Sequence, residues 1–93
     1  MYLIKPSSRY KKSLKRIVRN PNFRLEELEV IIETLSRGTQ LPVQYRDHEL
    51  KGEYVGIREC HIRSDLLLVY KREKEELILL LLDIGTHSTI FGG

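Results

Sequence analysis

Six apolar residues in succession, Leu77 to Leu82, constrain this 93-residue chain more than any other feature. A membrane span needs about 20 such residues, so the run falls far short of one. Its length suits a strand, and a strand that is apolar on both faces must be central or covered on both sides. The segment from Leu77 to Asp83 is expected to be that strand. Two more are expected before it, at about Ile57 to Ile62 and Leu66 to Lys71. The connections around Arg63-Ser64 and from Arg72 to Glu76 are short, which implies an antiparallel meander.

The N-terminal half has a different period. Tyr2 to Lys5 suits a short first strand, and Pro6-Ser7-Ser8 then reads as a helix start with a serine cap. Tyr10, Leu14, Ile17 and Val18 follow the spacing of one apolar helical stripe. Asn20-Pro21 ends that helix, because the residue before proline is pushed out of helical geometry. A second helix is expected from about Leu25 to Arg37, with Leu28, Ile31, Ile32 and Leu35 facing inward. Glu26, Glu27 and Glu29 suit its positive N-terminal end, and Gly38 its C-terminal cap. The fold class expected is α+β, in the order βααβββ: an antiparallel sheet with a helical hairpin packed on it. Residues 38–53 form a polar segment of a length that is usually functional or disordered.

A chain of this size makes one domain, residues 1–93, since two would each be too small to bury a core. At 41% hydrophobic and 31% charged it is a globular composition, neither disordered nor membranous. The N-terminus shows no charged leader followed by an apolar stretch. A single cysteine, Cys60, rules out an intrachain disulfide and fits a reducing compartment, so the cytoplasm is expected. As a strand residue Cys60 reads as a small buried apolar group. The net charge of +3 hides an asymmetry: residues 1–24 hold eight basic side chains, Lys11, Lys12 and Lys15 among them, and no acid. A basic segment on a nearly balanced protein points to a polyanion such as RNA; the competing reading is an ordinary solvated helix face.

Three histidines, His48, His61 and His87, lie in the C-terminal half, outside the expected helices. The meander gathers two of them. His61 stands near the end of one strand and Asp65 at the start of the next. The third strand returns to the same rim, bringing Gly85-Thr86-His87 beside Asp65. His48 reaches that rim only if the segment from Gly52 to Gly56 turns back. Histidines with a carboxylate can hold zinc or iron. Against this, there is no paired H-x-x-x-H or C-x-x-C spacing, so neither metal nor cofactor is expected. No serine stands in a nucleophile turn.

The run Asp47-His48-Glu49-Leu50-Lys51-Gly52, then Gly56-Ile57-Arg58-Glu59-Cys60-His61, Asp65-Leu66-Leu67-Leu68-Val69-Tyr70-Lys71 and finally Gly85-Thr86-His87 with Phe91, resembles the YafQ branch of the RelE/ParE toxin superfamily. The resemblance covers essentially the whole chain. It implies a RelE-like ribonuclease fold and a type II toxin that cleaves messenger RNA in the ribosomal A site. It also implies silencing in a heteromeric complex by a cognate antitoxin, the free toxin being a monomer. The family's functional positions fall on His48, His61, Asp65, His87 and Phe91. Two positions depart from the pattern: Ser64, where proline is common, and Asp83, where a basic residue is common. The second departure removes one phosphate-contacting cation, for which Arg58 and Arg63 are the candidate replacements.

The residue types suit that chemistry. RNA supplies its own nucleophile, the 2′-hydroxyl, and needs a base, an acid and positive charge near the phosphorane. Histidine serves as either acid or base near neutral pH. The roles expected are His87 as acid, His48 or Asp65 as base, His61 on phosphate charge and Phe91 stacking on a base. The alternatives are a ParE-like binder that poisons a DNA topoisomerase and a basic nucleic-acid-binding module without activity.

Overall fold

The computed structural model describes residues 1–92. Strand β1 (Leu3–Pro6) runs directly into helix α1 (Ser8–Ile17). Ser7 makes that junction: its Oγ accepts the Tyr10 N–H at 3.0 Å and donates to the Leu82 carbonyl at 2.9 Å. One side chain thus caps a helix and fastens it to the apolar run. Val18, expected on the buried stripe, lies at the C-cap and is exposed. Helix α2 (Leu25–Ser36) buries Leu28, Ile31 and Leu35 and stops where Gly38 takes a φ of +77°.

Then come β2 (His48–Glu49), β3 (Arg58–Arg63), β4 (Leu66–Glu73), β5 (Ile78–Gly85) and a short helix α3 (His87–Phe91). The sheet order is β1-β5-β4-β3-β2. The meander β3-β4-β5 is antiparallel as expected, and β5 has a neighbour on each side. The sheet as a whole is mixed, not antiparallel, because β1 pairs with β5 in parallel, Leu3 opposite Ile78. That pairing covers the edge the meander leaves open, and unpaired edges invite association. Neither β2 nor α3 was expected from the sequence.

Strand alternation then separates two faces. Cys60, Ile62, Leu68, Tyr70, Leu79, Leu81 and Ile84 join Tyr10 and the α2 residues in one buried cluster. Their neighbours Glu59, His61, Leu67 and Val69 belong to the opposite face. Cys60 is fully buried, and burial pushes its thiol up to about 12, so it is an inert core residue. No helix among the described residues is long and apolar enough to cross a membrane.

The polar segment after α2 is held by specific bonds. Arg72 donates to the Leu35 and Thr39 carbonyls at 3.3 and 2.9 Å. Further along, Asp47 accepts from the buried Tyr70 hydroxyl at 2.6 Å and from Arg58 Nε at 3.3 Å. Burial and the Asp47 bond raise the Tyr70 phenol well above its ordinary value, keeping it a neutral donor. Asp47→Ala leaves both donors without this acceptor and should cost about 1–3 kcal/mol. Tyr70→Phe removes one donor and should cost about 1 kcal/mol. Urea unfolding of the two variants checks the order; equal, negligible losses would mean the clamp contributes nothing.

Candidate active site

The segment from Gly52 to Gly56 does turn back, with φ of +71° and +90° at its two glycines. It returns the chain so that β2 pairs with β3, His48 opposite Glu59. His48 Nε2 lies 3.2 Å from Glu59 Oε2, and His61 Nε2 lies 3.7 Å from the same oxygen. The two imidazoles stack with centroids 6.3 Å apart. Glu59 is buried, while the His48 side chain is 51% exposed. The sequence reading missed Glu59, although it stands two residues before His61 in a strand and so shares its face.

The partners fix where the protons sit. A guanidinium only donates, so His61 Nδ1, 3.2 Å from Arg46 Nη2, accepts and the ring proton belongs on Nε2. A carbonyl only accepts, so His48 Nδ1 donates to the Arg46 oxygen at 2.7 Å. Between His48 Nε2 and Glu59 Oε2 the pair can then take up one further proton, held as an imidazolium against a carboxylate or as a neutral ring against a carboxyl. Arg46, in the left-handed region at φ 47°, thereby holds one ring through its side chain and the other through its backbone.

A second group stands at the other end of the meander. Gly85 ends β5, and Thr86 caps α3 with reciprocal bonds to Thr89. A Cβ at Gly85 would meet Thr89 Oγ1 at 2.5 Å, so this close turn requires glycine. The turn puts His87 at the start of α3, exposed, with its ring 5.0 Å from Phe91. Phe91 in turn meets Tyr54 edge-on at 5.8 Å. Tyr54 comes from the β2–β3 connection and Phe91 from the chain beyond β5, so their contact bridges β3 and β4, two strands that lie between. Register aligns the groups too: His61 is opposite Leu67, and Leu67 is opposite Gly85.

Other expected residues lie elsewhere. Asp65 stands in the turn between β3 and β4 and makes no side-chain hydrogen bond or ion pair among the described residues; it lines a cleft with Gly85 and Thr86. The expectation that Asp65 lies across from His61 assumed a regular hairpin. A register shift at Ile62 sets His61 opposite Leu67 and Arg63 opposite Leu66 instead. The carboxylate beside His61 is Glu59. Arg58 is bound to Asp47 and Tyr70, and Arg63 to Glu27 of α2 at 3.1 and 3.4 Å, so neither faces the imidazoles. Lys11, Lys12 and Lys15 are exposed along α1. No group of three His, Cys, Asp or Glu side chains among the described residues is arranged to hold a metal.

The two groups should respond separately in solution. Glu59→Gln should shift the ring ¹⁵N signals of His48 and His61 and leave His87 in place, whereas Tyr54→Ala should move His87 through Phe91. A His87 shift in Glu59→Gln as large as that of His48 would contradict the separation.

Comparison with known proteins agrees with this fold. The family model described as "Bacterial toxin of type II toxin-antitoxin system, YafQ" matches residues 2–92. The mRNA interferase toxin YafQ of Escherichia coli K12 is 31% identical over 90 residues, 96% of this chain and 95% of that protein. A metal-bound toxin from Helicobacter pylori superposes with a TM-score of 0.91 at 41% identity, covering 98% of this chain and all of that one. YafQ in the Escherichia coli DinJ–YafQ complex superposes with a TM-score of 0.84 at 27% identity, covering 99% and 100%. With the strand order, the histidine-bearing face and the match along nearly its whole length, this chain belongs to the YafQ family of bacterial type II toxin-antitoxin toxins.

Proposed function

We propose that the protein is an endoribonuclease that cuts messenger RNA on the ribosome by proton transfer, without a metal, and is silenced by a cognate antitoxin. The observation that carries this reading is the Glu59 carboxylate shared by His48 and His61, with His87 and Phe91 brought toward the same strands by α3. The buried Glu59 carboxylate holds the His48 ring in one orientation at the site. The His48–Glu59 unit is the base for the 2′-hydroxyl, in preference to Asp65, which has no imidazole partner among the described residues. His87, exposed and with no carboxylate partner among the described residues, is the acid for the departing 5′-oxygen. The Arg46 guanidinium, held in place by the neutral His61 ring, presents positive charge to the phosphorane. Phe91, steadied by Tyr54, stacks on an unpaired base. Asp65 stays a candidate contact at the rim.

The likeness to proteins named mRNA interferase supports the substrate, and the DinJ–YafQ complex supports an antitoxin partner. The acid-free basic stretch with Lys11, Lys12 and Lys15 exposed on α1 suits docking on ribosomal RNA.

Cleavage of mRNA in preassembled ribosome complexes tests the reading. His87→Ala should slow the cut by about 10²–10⁴-fold with ribosome binding retained, the scale of one acid–base group. A transition-metal chelator, at constant magnesium, should leave the wild-type rate unchanged. Activity lost to the chelator and restored by zinc would replace proton transfer by metal chemistry.

A further inference from the structure

A reaction that builds charge on a phosphate is accelerated by fixed positive charge beside the oxygens that gain it. Arg46 stands on the base side, bound to His61. Arg58 and Arg63 are engaged by Asp47 and Glu27. On the other side the fold presents Arg9, from the first turn of α1.

Arg9 is aimed by an unusual partner. Asp83, near the end of the central strand, is buried, with its side chain 7% exposed. Its Oδ1 accepts from Ser13 Oγ at 2.6 Å and from the Ile84 N–H at 2.8 Å. Its Oδ2 lies 2.9 Å from Arg9 Nε. Burying a carboxylate at such a position is costly, and a well-packed apolar residue would often serve stability as well or better. What an apolar residue cannot do is hold a guanidinium. The Arg9 side chain remains 68% exposed, so the ion pair orients it without consuming it. Its Nη2 donates to the Ile90 carbonyl at 3.4 Å, which sets the guanidinium against α3, between the residues that carry the His87 and Phe91 rings. Of the five N–H donors of a guanidinium, these two contacts leave three for a substrate.

Register places the pair relative to the imidazoles. Asp83 is opposite Val69, and Val69 is opposite Glu59, so the three residues form one row across β5, β4 and β3. Two strand spacings, about 10 Å, separate the ends of the row. That span accommodates a phosphodiester.

We propose that Arg9 is a catalytic residue, its guanidinium donating hydrogen bonds to a non-bridging oxygen of the scissile phosphate, with Asp83 and Ser13 as its positioning residues. This rests on the ribonuclease reading above. Arg9 moves no proton and forms no bond in the step; it is a fixed charge beside the acid.

The test must separate contact with RNA from simple neutralisation of Asp83. Arg9→Ala should lower cleavage of ribosome-bound mRNA on the order of 10²-fold, and will also destabilise the fold by leaving Asp83 unpaired. Arg9→Ala with Asp83→Asn removes that orphan charge. This double variant should recover the melting temperature but not the cleavage rate, and added guanidinium ion should restore part of the rate. A double variant that cuts like wild type would overturn the proposal and leave the ribonuclease reading standing. Wild-type protein that fails to cut at all would remove both.

Discussion

A carboxylate buried on a sheet face needs partners, and Glu59 finds them in two imidazoles. The rest of the site follows from meeting that need. His48 can reach Glu59 only because the chain after β2 reverses through two positive-φ glycines and pairs with β3. Asp47, just before His48, is anchored to Tyr70 in the core. The loop that carries the site is thus fixed from the far side of the sheet. Asp47 and His48 part at the entrance to β2: one grips Tyr70 in the core, the other Glu59.

The His87 end is built on a different principle. Among the described residues no buried ion pair holds His87; a five-residue helix does, tethered at its start by the Thr86–Thr89 cap and at its end by Phe91 against Tyr54. The two halves therefore differ in environment. His48 lies beside a buried carboxylate, and His87 is open to water.

Much of this was legible in the sequence. The meander, the helical hairpin and the Ser7 cap rest on strong periodicities and one capping signal, and those survive in the structure. The inertness of Cys60 followed from its place between Glu59 and His61. What escaped reading is short or irregular. A two-residue strand and a five-residue helix carry no period, so β2 and α3 were invisible. The parallel pairing of β1 depends on which edge the meander leaves open, a property of the assembled sheet. The shift at Ile62 moved Asp65 out of register with His61, and nothing in Ile62-Arg63-Ser64 announces it. Glu59 was within reach, since a glutamate two places before a histidine in a strand must share its face. Arg46 was not, because its contact depends on a left-handed backbone that an arginine rarely adopts. Asp83 read as the loss of a cation; in the fold it is the anchor of another, Arg9.

The central claim is that the substrate supplies the nucleophile and the Glu59-centred group only removes its proton. Replacing the 2′-hydroxyl at the cut site of a ribosome-bound message by 2′-O-methyl tests this most directly, with the flanking nucleotides unchanged. The account predicts no cleavage at that position and a 2′,3′-cyclic phosphate on the unmodified product. Cleavage of the methylated message, leaving a 3′-hydroxyl or a 5′-phosphate, would mean that water attacks, and would contradict it.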